Sequence, residues 1–183
     1  MEDRLLKTLR RLNHAIALLT GALLLSCAGV VLADIVLRQV GSSLGGTDEI
    51  SGYVMAIATS WGMAFTLLEL GHVRIDILRG RVGQLGRALF DLSSMLVLTG
   101  TVTLIAYKCW PVVARSIDNG SRANTPLETP LALVQIPWFA GWIWFAVVAW
   151  LTCIAAALLV VKGRFETSEA VIGCFGDDTG AGT

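Results

Sequence analysis

The side chains best suited to chemistry in this sequence stand at the two ends of one uncharged run, Ile50–Leu68. Two acids, Asp48 and Glu49, come directly before the run. A mixed group of acids and bases follows it, made up of Glu69, His72, Arg74 and Asp76. Carboxylates beside arginines can form ion pairs. Asp48 and Glu49 suit the positive N-terminal end of a helix dipole, although capping alone accounts for one acid better than for two. From the residues alone, the second group is equally consistent with a solvated loop.

The sequence contains none of the common catalytic or metal-binding motifs. It has no H-E-x-x-H, no G-x-S-x-G nucleophile elbow and no paired metal-ligand motif. The segment Gly41–Gly46 is rich in glycine but lacks the lysine of a phosphate-binding loop. We therefore expect this chain, on its own, to have no enzymatic activity, no metal and no cofactor.

Four apolar blocks provide the elements that must position these side chains: Leu12–Leu37, Ile50–Leu70, Ala88–Tyr107 and Ile136–Val161. Charged residues make up 15% of the chain, whereas an ordinary soluble domain has about 25%. Each block is long enough to cross the ~30 Å hydrocarbon core as a helix, which satisfies its own backbone polar groups. The blocks also lack the polar stripe of a helix in a soluble protein. The sequence therefore predicts an all-α membrane protein with a four-helix transmembrane domain over residues 15–164.

The basic residues are distributed unevenly between the two ends of these helices. Ten lie at one end: Arg4, Lys7, Arg10, Arg11, Arg74, Arg79, Arg81, Arg87, Lys162 and Arg164. Four lie at the other end: Arg38, Lys108, Arg115 and Arg122. Because Lys and Arg are enriched on the cytoplasmic side of membrane proteins, the N-terminus and the C-terminus are both predicted to be cytoplasmic.

The two ends of the chain are predicted to differ from the helical domain. Residues 1–14 are basic with leucines on one face, so they either lie along the inner membrane surface as an amphipathic segment or extend the first helix. Residues 165–183 are polar and rich in glycine, which predicts a disordered cytoplasmic tail. The run Ala15–Ala33 is longer than the roughly 7–15 apolar residues of a signal peptide. Leu25 is bulky for the lipoprotein-like sequence that ends at Cys27, so we expect the segment to remain as a helix.

Small residues recur at helical spacing in the first two blocks. The first stripe is Ala22, Ser26, Gly29 and Ala33, and the second is Gly52, Ala56, Ser60 and Ala64. Small side chains let helix backbones approach closely within a membrane. We expect these two stripes to pack against each other or against a partner.

Four further residues lie where a polar group inside the membrane needs a partner. Trp61 and Trp150 lie near the middle of their blocks, and an indole N–H at that depth needs an acceptor. Both side chains should therefore face protein. Asp34 and Arg38 lie four residues apart near the outer end of the first helix. They form either a local ion pair or a contact with a partner.

The longest region on the predicted outer side is Lys108–Gln135. Its prolines and its Asn-Gly pair are typical of turns. Pro137 is then expected to begin the fourth helix, a position that favours proline. Of the four cysteines, Cys109 alone lies near this outer face, so we expect no disulfide bond.

Two stretches of the sequence resemble the small permease subunit of tripartite ATP-independent periplasmic (TRAP) transporters, a DctQ-like protein. The first stretch contains Arg38, Asp48-Glu49, Trp61-Gly62 and Gly71-His72-Val73-Arg74-Ile75-Asp76. The second is Thr129–Pro137, which is similar to the family's approach to its last helix. The four predicted helices and the length of 183 residues also fit that family.

This resemblance implies a three-part transporter in a bacterial inner membrane. A periplasmic substrate-binding protein captures an organic anion, often a carboxylate, and a large multi-helix permease subunit moves it inward with sodium. The small subunit packs beside the large one, among membrane lipids, and has no nucleic-acid partner. The residues implied to contact the partners are Arg38, Asp48, Glu49, Trp61, Glu69, His72, Arg74 and Asp76. The two small-residue stripes would be its packing faces.

Two other functions stay open from the residues alone. A small membrane-embedded oxidoreductase would need paired cysteines on the outer side, where Cys109 has no partner. A self-associating small exporter would need a glutamate in the middle of a helix, and Asp34 lies close to a helix end.

Overall fold

The structure is a computed structural model that describes residues 2–72 and 82–173, with side chains from Leu6 onward. These ranges form five helices: α1 Glu2–Gln39, α2 Thr47–Leu68, α3 Gln84–Asp118, α4 Leu131–Val161 and α5 Phe165–Ile172. The first four are long and apolar enough to cross a membrane. The predicted fold class, an all-α membrane protein with four transmembrane helices, is therefore confirmed. The cytoplasmic location of both termini stays a prediction.

The molecule has two ends, which are named here from the predicted topology. The inner end is the one where α1 begins and α4 ends. The outer end carries two loops, residues 40–46 between α1 and α2 and residues 119–130 between α3 and α4.

α1 is one continuous helix of 38 residues. Of the two arrangements left open for the basic N-terminal segment, extension of the first helix is the one that Glu2–His14 adopts. The most apolar part of α1 has no buried residue, and Leu19 and Leu25 are 73% and 76% exposed. This exposure follows from the position of α1, which packs mainly on α2.

The four long helices form an open row rather than a bundle closed around a central axis. α2 packs against α1 on one side and α4 on the other, and α3 packs against α4. Within the described residues, α1 and α3 make no extensive contact with each other. α2 and α4 are thus the interior helices, and α1 and α3 are the edges.

The apolar core lies where α2, α3 and α4 meet. Its fully buried side chains include Ala64, Met95, Phe145, Val148 and Ala156. α2 and α4 approach most tightly at Gly141, where an added Cβ would collide with the side chain and backbone of Ser60. Half of the most apolar window of α4 is buried, in contrast to α1.

Part of the tail predicted to be disordered forms α5, so the prediction is wrong for Phe165–Ile172. Gly163 has a left-handed backbone with φ of 70°, which glycine adopts without strain, and the chain turns back there onto α3 and α4. Ile172 is 1% exposed and belongs to the same apolar cluster as Leu9 and Leu68. Burial of this short amphipathic segment at the inner end outweighs the polar composition of the tail. Residues 174–183 lie outside the described residues.

The outer region between α3 and α4 is shorter than the predicted segment Lys108–Gln135. α3 continues through Pro111 to Asp118, and α4 begins at Leu131, six residues before Pro137. The expectation that Pro137 begins the fourth helix is therefore wrong. Membrane helices tolerate an internal proline where neighbouring groups satisfy the backbone that it frees.

Candidate functional site

Asp34 is the centre of a polar cluster at the outer end, formed with Arg38, Ser43, Leu44 and Thr47. Its side chain is 1% exposed. It accepts hydrogen bonds from Arg38 Nε at 2.8 Å, Ser43 Oγ at 3.0 Å, the Leu44 N–H at 2.7 Å and Thr47 Oγ1 at 2.8 Å. Arg38 Nη2 also lies 2.6 Å from Asp34 Oδ2. The local ion pair, one of the two readings left open by the sequence, is present.

This cluster joins the end of α1 to the beginning of α2. One buried carboxylate binds the turn at Leu44 and the first residue of α2, Thr47. A buried charge is tolerated when it is paired and hydrogen-bonded, and Asp34 has four donors. Sequence reasoning found Asp34 and Arg38 but missed Ser43 and Thr47, whose hydroxyls complete the cluster.

Asp48 and Glu49 are adjacent in sequence but face different surroundings. The Asp48 side chain is 92% exposed, and its Oδ2 lies 4.0 Å from Arg38 Nη2, at the limit of an ion pair. Glu49 is partly buried and accepts a hydrogen bond from the Tyr53 hydroxyl at 2.6 Å. Asp48 is therefore accessible to a partner, whereas Glu49 acts largely within the chain.

Glu49 also connects α2 to the outer loop 119–130. Its carboxylate interacts with the Thr125 and Thr129 hydroxyls and with the Leu127 N–H. Its Oε2 is nonetheless buried without a hydrogen bond of ordinary length and angle to any described residue. The loop contributes loose polar neighbours, and the short bond from Tyr53 is the better-formed contact.

The outer loop folds on itself beside the start of α2. The Ala123 N–H donates to the Thr129 carbonyl at 2.9 Å, and the Leu131 N–H donates to the Ser121 carbonyl at 2.9 Å. The Leu127 side chain fills the space beside Gly46, where a Cβ would collide with it.

A cleft of about 650 Å³ remains between the loop and α2. It is lined by Gly46, Asp48, Glu49, Gly52, Tyr53, Thr125 and Pro126.

Both indoles predicted to need acceptors have them, but the prediction that both side chains face protein is wrong for Trp150, which is 43% exposed. Trp61 Nε1 donates to the Pro137 carbonyl at 2.9 Å, and Trp150 Nε1 donates to Thr103 Oγ1 at 3.1 Å. Sequence reasoning missed a third such pair, in which Trp144 Nε1 donates to the buried Asn13 at 3.1 Å. These bonds join α2 to α4, α3 to α4 and α1 to α4, so the tryptophans link neighbouring helices.

The two small-residue stripes do not pack against each other. Ala22, Ser26, Gly29 and Ala33 are all exposed on α1. The α2 stripe divides: Gly52 and Ala56 are exposed, whereas Ser60 and Ala64 are buried. α1 meets α2 through other side chains, including a tilted contact between His14 and Phe65 at 6.1 Å. Contact of the α1 stripe with a partner, the other arrangement left open by the sequence, stays a prediction.

The mixed group at the inner end is described only in part. Glu69 follows the last turn of α2 and is exposed. The His72 ring stacks on Phe145, with ring centroids 6.2 Å apart. Arg74 and Asp76 lie outside the described residues, so their predicted ion pairs stay a prediction.

The described cysteines, Cys27, Cys109 and Cys153, are free thiols. No three His, Cys, Asp or Glu side chains within residues 2–72 and 82–173 lie close enough together to hold a metal ion. The arrangement of the described polar groups is suited to joining helices and presenting surfaces at the two helix ends.

These features define a multi-pass helical membrane protein whose interior is packed and whose edge helices present apolar faces. The family model for tripartite ATP-independent periplasmic transporters, DctQ component, matches residues 27–162. The chain therefore belongs to this family of transporter components, as its sequence resemblance predicts. No curated protein and no solved structure matches it.

Proposed function

We propose that this chain is the small integral-membrane subunit of a TRAP-type secondary transporter in a bacterial inner membrane. In this proposal it supports a large permease subunit during sodium-driven uptake of an organic anion, specifically a carboxylate, delivered by a periplasmic binding protein. The chain itself catalyses no reaction. The family match over residues 27–162 supports the proposal.

The observation that carries the proposal is the exposure of α1. Its most apolar window has no residue buried by the rest of the chain. A Cβ placed on Gly29 would meet no heavy atom within 4 Å apart from the neighbouring backbone of its own helix. Lipid could also cover this face, but small residues specifically favour the close approach of another helix. The large permease subunit is therefore the proposed occupant of the α1 stripe.

The outer end is the proposed docking surface for the binding protein. Asp48 is exposed, and Arg38 is half exposed beside it. Glu49 and loop 119–130 form the wall of the outer cleft. Charged groups at the edge of an interface mainly steer association and set specificity. Glu49 is proposed to act indirectly, through its bond with Tyr53 and its looser contacts with the loop.

At the inner end, Glu69, His72, Arg74 and Asp76 are proposed to contact the large subunit or lipid headgroups. Trp61 is proposed to act within the chain, since its N–H already binds Pro137 on α4. A role in holding α2 and α4 together is consistent with a supporting subunit.

Co-purification with the large subunit tests the proposal. The tagged chain would be co-expressed with the large TRAP permease subunit of the same genome and isolated from detergent. Gly29→Leu adds bulk to the α1 stripe, and Gly100→Leu is its matched control on the opposite edge helix. At both glycines an added Cβ would meet nothing within 4 Å beyond the neighbouring backbone of its own helix. We expect wild type and Gly100→Leu to retain the large subunit and Gly29→Leu to lose most of it.

Each contrary outcome has a separate meaning. Failure of the wild-type chain to retain the large subunit, or sodium-driven transport by this chain alone in proteoliposomes, would overturn the proposed function. Equal retention by both leucine variants would overturn α1 as the contact face and leave the subunit assignment standing.

A further inference from the structure

α1 and α5 enclose a basic groove at the inner end of the molecule. It is lined by Leu6, Lys7 and Arg10 of α1 and by Thr167, Ala170 and Val171 of α5. Its volume is about 340 Å³. The lining of the groove therefore combines two cationic side chains and one hydroxyl group with three apolar side chains. This combination suits a ligand that carries both a negative charge and an apolar part.

The groove opens onto the helix with the most exposed apolar surface. Leu18 and Leu25 follow Lys7 on the same side of α1, because they come 11 and 18 residues after it at 3.6 residues per turn, and they are 65% and 76% exposed. From Lys7 to Leu18 the helix rises about 16 Å, which is roughly one leaflet of the hydrocarbon core. A ligand with an acyl chain could therefore bind its head in the groove and lay its tail along α1.

Both charged side chains that line the groove, Lys7 and Arg10, are basic, which favours an anion. Arg11, Lys162 and Arg164 add positive charge at the same end of the molecule. Glu166 and Glu169 also belong to α5, but neither lines the groove. Arg presents a planar fork of donors that matches phosphate, and Lys provides a point charge for it.

The two walls of the groove have little direct contact with each other. α5 packs on α3 and α4, and α1 packs mainly on α2. A headgroup between Arg10 and Thr167 would bridge two helices that the chain itself joins weakly. Binding should therefore raise the stability of the folded protein as well as occupy the surface.

We propose that this groove binds the phosphate headgroup of an anionic phospholipid of the type of phosphatidylglycerol. Lys7 and Arg10 contact the phosphate, Thr167 donates a hydrogen bond, and the acyl chains lie along the exposed leucines of α1. The site belongs to this chain alone and does not depend on the proposed transporter function.

Thermal unfolding of the purified full chain in dodecyl maltoside tests the proposal. Phosphatidylglycerol, phosphatidylcholine or inorganic phosphate would be added in increasing amounts. We expect a saturable rise in melting temperature with phosphatidylglycerol and a much smaller change with the other two. An equal rise with phosphatidylcholine would overturn the preference for an anionic headgroup. An equal rise with inorganic phosphate would indicate a free-anion site and overturn the lipid assignment.

Two adjacent arginines provide the matched control. Arg10 lines the groove and Arg11 does not, although both are exposed on α1. Arg10→Gln should weaken phosphatidylglycerol binding about fivefold, since one basic residue near a membrane surface has an effect of that order. Arg11→Gln should change it clearly less, because a cation outside the groove contributes only screened attraction. Equal losses in the two variants would show diffuse attraction to negative charge and would overturn a defined site.

A bulky substitution tests whether lipid binding needs the open space of the groove as well as its positive charge. Ala170→Phe fills the groove and leaves Lys7 and Arg10 in place. We expect it to abolish the phosphatidylglycerol-dependent rise while the helical circular dichroism stays unchanged. A wild-type response from this variant would overturn the groove as the binding place.

Discussion

Trp61 of α2 donates its indole N–H to the carbonyl oxygen of Pro137 in α4 at 2.9 Å. Pro137 lies one helical turn before Gly141, the position where Ser60 leaves no room for a Cβ. The hydrogen bond and the close approach thus stabilise the same α2–α4 contact. This contact lies at the centre of the row of four helices, so its loss should affect the whole protein.

Trp61→Phe keeps most of the ring and removes the hydrogen bond. We expect a loss of about 1 kcal/mol in the free energy of unfolding, the usual net value of one hydrogen bond. Chemical unfolding in mixed micelles measures it. Trp110→Phe is the control, because Trp110 is 54% exposed and has a tilted ring contact with Phe139. A loss as large for Trp110→Phe would contradict a special role for the Trp61 bond.

Asp34→Asn removes the charge from the outer polar cluster and keeps the side-chain volume. Arg38 loses its close ion pair, and the amide cannot accept all four hydrogen bonds of the carboxylate. We expect a fall in melting temperature on the order of 5 °C and faster proteolysis within loop 40–46. Asp48→Asn, at a side chain that is 92% exposed, should change neither. Equal behaviour of the two variants would mean that the cluster does not hold the loop.

Glu49→Lys should reduce uptake by the reconstituted three-component transporter, on the order of fivefold or more. The reversed charge disrupts the hydrogen bond from Tyr53 and the neighbouring loop 119–130. Glu128→Lys is a charge reversal on the same loop, at an exposed residue, and should leave uptake near the wild-type level.

The neutral variant Glu49→Gln keeps an acceptor for Tyr53. It should retain most of the uptake if the role of Glu49 is to position the loop. Unchanged uptake by Glu49→Lys, at normal expression, would reject any role of this residue in transport.

Ile172→Ala tests whether α5 is part of the folded core. Ile172 is 1% exposed, and truncation of a buried isoleucine to alanine costs about 2–4 kcal/mol. We expect that loss in the free energy of unfolding, measured by denaturant titration in micelles. Leu158→Ala, at a residue 44% exposed on α4, should cost clearly less. Similar small losses for both would show that α5 is not packed.

The four long helices could be predicted from the sequence because lipid imposes a length and an apolar composition on each one. The residues at which the helices begin and end could not be predicted in this way. α3 and α4 extend beyond the predicted limits through Pro111 and Pro137, since an internal proline is tolerated in a membrane helix. α5 was missed because its stability comes from burial against α3 and α4, which local composition does not encode.

The sequence identified the charged residues of the candidate site but not the groups that they contact. Asp34, Arg38 and Glu49 are visible as charges beside apolar runs. These groups include Thr47, Tyr53 and Thr125. Nothing in the sequence distinguishes them from other polar residues, because the contacts form only in the folded chain. The small residues of α1 were identified correctly as a pattern, but their spacing alone could not distinguish an internal contact from an exposed face.

Because the four helices form an open row, the effect of a substitution in α1 should depend on whether the isolated chain or the protein in the cell is assayed. With α1 at an edge and none of its most apolar window buried, a library of apolar replacements there would look neutral when scored by folding of the isolated chain. The same library scored inside living cells would reveal which positions are constrained by a neighbour. Positions that are neutral in the isolated chain but constrained in cells would identify the part of α1 that contacts another molecule.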